Sequence, residues 1–67
     1  MKYRIVSIDG RIVAKHKKFE RCYVQHEPIY DEDLEIFETE DLDYAMSWLE
    51  ATRSHWGDSF MIVTKDE

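Results

Sequence analysis

Polar and apolar positions alternate at the start of the chain, in Lys2-Tyr3-Arg4-Ile5-Val6-Ser7-Ile8 and again in Arg11-Ile12-Val13-Ala14-Lys15-His16-Lys17. A period of two predicts strands, here over about residues 2–8 and 11–17. Asp9-Gly10 lies between them, and Asp-Gly in that setting predicts a two-residue hairpin of type I′. That turn would oppose Ser7 to Ile12, Ile5 to Ala14 and Tyr3 to His16 on an inward face. The outward face would then oppose Val6 to Val13, Arg4 to Lys15 and Lys2 to Lys17.

Residues 19–26 are open between two readings, an extension of the second strand past a bulge or a short strand of their own; Pro28 ends either. Asp31-Glu32-Asp33 reads as a solvated loop and Leu34–Glu38 as a short strand. A helix follows, with Thr39 as N-cap, acidic residues in its first turn, Arg53 and His55 near its end, and Gly57 as stop. At 100° per residue, Leu42, Ala45, Met46, Leu49 and Trp56 share a face that should be the core stripe. Tyr44, Trp48, Ala51 and His55 form an adjoining arc. Residues 59–64 read as a last strand and 65–67 as a tail. The expected fold is α+β: a small mixed sheet with one helix across one face, in the order β-β-(β)-β-α-β. A crossover through the helix would make the last two strands parallel.

At 67 residues the chain makes one domain, residues 1–67. A domain this size buries only about 60% of its extended surface, so a partner would help it. Cys22 is the only cysteine, which excludes an internal disulfide and fits a reducing compartment. No apolar run approaches the roughly 20 residues of a membrane span, and the first residues do not read as a signal peptide. The expected location is cytoplasmic.

The net charge is −6, unevenly spread. Residues 1–26 hold seven basic side chains and two acidic ones; Glu27 to Glu50 hold ten acidic and no basic ones. Either the two halves neutralise each other in the fold, or one of them meets a partner.

Most chemistries find little support. His16, Cys22, His26 and His55 match no standard spacing of metal ligands. His55, Asp58 and Ser59 crowd into five residues, whereas nucleophile, base and orienting group normally meet from separate segments. Only two glycines occur, so phosphate-cradling loops are absent and no cofactor is expected. The basic hairpin face, Lys2, Arg4, Arg11, Lys15 and Lys17, could track phosphates, but the negative global charge opposes nucleic-acid binding.

A helix covers a core with a stripe of little over 100°, and the arc of Tyr44 and Trp48 exceeds that need. Tyr and Trp concentrate binding energy at interfaces; in a protein this small they can equally finish the core. The expectation is a non-enzymatic interaction module. Its partner surface would hold Tyr44, Trp48 and His55 with the acidic residues Asp31, Glu32, Asp33, Glu40 and Asp41. A basic, nucleic-acid-binding protein would suit that surface, and a homodimer could bury the aromatics. The run from Leu34 to Thr64 (strand, Thr, acidic helix, strand) resembles a module common among small bacterial and phage proteins, some of which inhibit host enzymes. The resemblance implies a phage- or mobile-element-type modulator.

Overall fold

A computed structural model describes residues 1–65. The elements run β1 (Lys2–Ser7), β2 (Arg11–His16), β3 (Cys22–His26), β4 (Leu34–Ile36), α1 (Leu42–Trp56) and β5 (Phe60–Lys65). The α+β class stands, and residues 19–26 yield a strand of their own. The last strand takes in Lys65; the rest of the expected tail lies outside the described residues.

The hairpin turn differs from expectation by one residue. Gly10 has φ +90°, its N–H reaches the Ser7 carbonyl at 3.2 Å, and no described non-glycine residue has positive φ. Type I′ needs two such residues, so the loop is the three-residue kind, Ile8-Asp9-Gly10, closed by a left-handed glycine. Side chains favour it. The Ser7 hydroxyl donates to the Asp9 carboxylate and accepts from the Arg11 backbone N–H at 3.0 Å, and Arg11 Nε reaches both Asp9 oxygens at 3.0 Å.

The longer loop pairs Val6 with Ile12. One residue of slip turns every β2 side chain to the other face. Val13 therefore joins Ile5 in the core beneath the helix, while Ile12 and Ala14 are buried on the opposite face. The connection 27–33 must cross β2, since β3 and β4 pair with its two different edges.

Beyond Val6, β1 and β2 part, and the segment 34–39 fills the fork. β4 pairs with the end of β2, placing Glu35 opposite Lys15. The chain then turns, and Thr39 exchanges two backbone hydrogen bonds with Tyr3, at 2.7 and 3.2 Å. This turn reverses the chain before the helix. β5 consequently runs antiparallel to β1 along six residues, and the sheet, in the order β3-β2-β1-β5 with β4 beside β2, is antiparallel rather than mixed.

Asp41, not Thr39, caps α1: its carboxylate accepts from Asp43 N at 3.0 Å and Tyr44 N at 3.3 Å. Thr39 instead supports Asp41, whose N–H it accepts at 3.1 Å. Gly57 ends the helix at φ +108°. The buried helix residues are Ala45, Trp48 and Thr52. The inward face is thus rotated by roughly 70° from the expected stripe, at 100° per residue. Leu42, Met46 and Trp56 are 44%, 51% and 46% exposed, and only Ala45 and part of Leu49 are inward as expected. The rotation follows from Phe37, which stacks on Trp48 with ring centroids 4.5 Å apart and draws that side of the helix inward.

Candidate functional site

The helix lies over the sheet with one flank toward β3 and the other toward β5. Between α1 and β3 runs an open groove of about 840 Å³. Tyr44, Trp48, Ala51 and His55, grouped by helical spacing in the sequence, all line it. Trp56 joins them, and Glu20 to Tyr23 form the opposite wall.

The aromatics play different parts. Trp48 is only 8% exposed and belongs to the core, so it cannot be the protruding contact expected of it. Phe37 and Tyr44 pack around it at 4.5 and 6.1 Å. Tyr44 is half-buried and its hydroxyl donates to Glu20 at 2.9 Å, closing one end of the groove. Burial first, and the Glu20 carboxylate second, push the Tyr44 phenol above its ordinary pKa. Trp56 and His55, both exposed, stand at the other end.

Cys22 and Thr52 meet inside the groove wall at 3.1 Å. Burial raises the Cys22 thiol above its ordinary pKa, with the Thr52 hydrogen bond pulling weakly the other way. The neutral thiol is a poor nucleophile and a poor metal ligand.

The wall opposite the helix is the open edge of β3, since among the described residues β3 pairs only with β2. Its backbone phase can be read off. Phe37 N–H donates to the Val13 carbonyl at 3.1 Å, so Val13 turns its polar groups toward β4. Antiparallel alternation then turns Ile12 and Ala14 toward β3, where they oppose Gln25 and Tyr23. Cys22, Val24 and His26 are left with their N–H and C=O groups facing outward. The groove thus has an apolar, aromatic floor and a row of backbone donors and acceptors along one side.

The acidic residues expected at the partner surface do not line it. Asp31 holds a turn, its carboxylate accepting from Asp33 N at 2.9 Å, and the Asp33 carbonyl accepts from Lys17 N. Glu32 and Glu40 are exposed, and Asp41 caps the helix. These five lie at the same end of the sheet, where β1 begins and β2 ends, apart from the aromatic floor.

The expected basic face is broken up by the register. Arg4 is paired with Glu38, Arg11 with Asp9 at 3.0 Å, and Lys15 with Glu35 at 3.9 Å. Lys2 stands opposite Lys65 rather than Lys17, and Lys17 lies past the end of β2. Part of the charge polarity along the sequence is therefore neutralised within the fold. His55, Asp58 and Ser59 are not joined by hydrogen bonds. Among the described residues no group of three or more His, Cys, Asp or Glu side chains converges as metal ligands, and no helix is long and apolar enough to cross a membrane.

The sequence offered little warning of Glu20, Arg21 and Tyr23 as groove residues, because their strand had no fixed register. Trp56 was visible but assigned to the core. Comparison with protein-family models, curated proteins and solved structures finds no match.

Proposed function

We propose that this protein is a non-enzymatic interaction module that receives an extended segment of a partner protein in the groove between α1 and β3. The observation that carries this reading is the open edge of β3 lying beside an aromatic groove. A partner strand can hydrogen-bond to Cys22, Val24 and His26, while its alternate side chains enter the space lined by Ala51, His55 and Trp56. Main-chain pairing supplies affinity and the pocket supplies selection. The negative charge of the chain favours a partner with basic residues beside the inserted segment. Capturing a segment in this way would let so small a protein modulate its partner without chemistry of its own.

Selection of peptides from a random display library on the immobilised protein tests the proposal. Enriched peptides should carry an apolar or aromatic residue in an extended stretch, and should shift the amide resonances of Cys22, Val24 and His26. Trp56→Ala and Ala51→Glu should weaken them at least tenfold while the circular dichroism stays that of the parent. Peptides that bind both variants as well as the parent would place recognition elsewhere and overturn the groove reading.

A further inference from the structure

The second open edge of the sheet is β5, on the opposite flank of the helix. Ser59 accepts from Ile8 N–H through its carbonyl at 3.2 Å, which fixes the phase of the β1·β5 pair. By alternation, Met61 and Val63 turn their backbone groups toward β1, and Phe60, Ile62 and Thr64 turn theirs outward. Natural edges are usually guarded by Pro, by bulges or by charged side chains. Phe60-Met61-Ile62-Val63-Thr64 has none of these. Besides Lys65 at the end of β5, the guard is Arg53, whose guanidinium reaches the outward carbonyl of Phe60 at 2.9 and 3.2 Å.

Arg53 also shows what overhangs this edge. Leu42, Met46, Leu49 and Arg53 follow at i, i+4, i+7 and i+11 on one side of α1. Since Arg53 touches the outer edge of β5, Leu42 and Met46 flank the same edge, 44% and 51% exposed. A lightly guarded strand beneath an apolar helix flank is a surface that another strand-and-helix unit would cover.

We propose that the unit is a second copy of this chain, joined by antiparallel pairing of β5 with β5 about a twofold axis at Ile62. The phase permits it. Ile62 then faces its own symmetry mate in a hydrogen-bonded pair, and Phe60 faces Thr64 of the other copy, with Arg53 releasing the Phe60 carbonyl to that strand. The twofold axis stands perpendicular to the sheet, which puts both helices on one face and antiparallel. Met46 of each copy then lies near its mate beside the axis, and Leu42 lies along the seam toward the other copy's last turn. Charge complementarity favours the same arrangement: the acidic first turn with Asp41 and Asp43 comes beside the other copy's last turn, with Arg53. The interface is isologous and closes after two copies, while the groove beside β3 stays open on each.

Sedimentation equilibrium from about 1 to 300 µM tests this. The parent should be a dimer in the upper part of that range. Met46→Glu sets two like charges across the seam and should give monomers. Thr64→Pro removes an N–H that turns away from β1, at a position with an exposed side chain, so it should also give monomers with unchanged circular dichroism. Trp56→Ala should dimerise like the parent, which separates this surface from the groove. A parent that stays monomeric throughout, or a Met46→Glu variant that dimerises like the parent, overturns the proposal.

Discussion

The Cys22 thiol meets the Thr52 hydroxyl at 3.1 Å, tying the edge strand β3 to the middle of α1 across thirty positions of sequence. Thr52 Oγ1 also donates to the Trp48 carbonyl at 2.8 Å, so its single proton is committed and the thiol must be the donor to it. The contact holds one wall of the groove at a fixed distance from the helix. Thr52→Val keeps the shape and removes the acceptor. It should cost about 1 kcal/mol in urea unfolding. Cys22 should react slowly with iodoacetamide at pH 8 in the folded parent, because burial keeps it protonated. An unchanged stability would mean that the contact adds nothing to the fold.

Trp48 and Met46 lie two residues apart, on opposite sides of the same turn of helix, and should behave oppositely. Trp48 is buried against Phe37, and Trp48→Ala should cost about 3–5 kcal/mol, enough to unfold most of so small a domain at 25 °C. Met46→Ala removes a side chain that is 51% exposed and should change stability by about 0.5 kcal/mol or less in dilute solution. Chemical denaturation of both variants checks the assignment of the inward face. If Met46→Ala proved the costlier change, the helix would have to be rotated back toward the stripe that periodicity predicts.

Much of the fold was legible because local signals carried it. Asp9-Gly10 marks a hairpin, Gly57 ends a helix, and residues 59–64 have the composition of a strand. What failed were phases. Asp-Gly serves both the two- and the three-residue loop, and the choice turned on the Ser7, Asp9 and Arg11 side chains rather than on the dipeptide. The helix face failed for a related reason. Leu42, Met46 and Leu49 are apolar, and spacing alone cannot tell a core stripe from a flank that overhangs a sheet edge. Trp48 was chosen for the core by Phe37, a contact between residues eleven apart that no periodicity encodes. For the site, helical spacing grouped Tyr44, Trp48, Ala51 and His55, which line one groove, while its opposite wall depended on the register of β3.

The hairpin loop should show its chemistry in acid. The Ser7 hydroxyl, and after it Arg11, lower the Asp9 pKa from 3.8 to about 2. A carboxylate with a depressed folded-state pKa contributes stability above its unfolded pKa and loses it as pH falls through the folded one. The contribution should therefore be complete above pH 4 and fade between about pH 4 and about pH 2. Asp9→Asn should remove this component from the stability profile and leave the parent and variant alike below that window. Gly10→Ala tests the backbone of the same loop. At φ +90° a Cβ is strained even in open space, so the variant should lose about 1 kcal/mol. Thermal melts of Gly10→Ala that superimpose on the parent would contradict the left-handed turn.

The acidic end of the molecule should govern how fast a basic ligand arrives rather than how long it stays. Asp31, Glu32 and Asp33 are exposed and lie away from the groove floor, so they touch a bound segment little. Their field extends into solvent over about 8 Å at physiological salt and farther at low salt. The triple variant Asp31→Asn, Glu32→Gln, Asp33→Asn removes three charges, and Asn at position 31 keeps the side-chain oxygen that holds the turn to Asp33 N. Association of a groove-binding basic peptide should slow several-fold in this variant at about 20 mM salt, with dissociation nearly unchanged. The difference from the parent should shrink as salt rises, because screening removes from the parent what substitution removed from the variant. Stopped-flow fluorescence of Trp56 gives both rates. Equal association rates at low salt would leave Asp31-Glu32-Asp33 as a solvated loop whose only task is to turn the chain into β4.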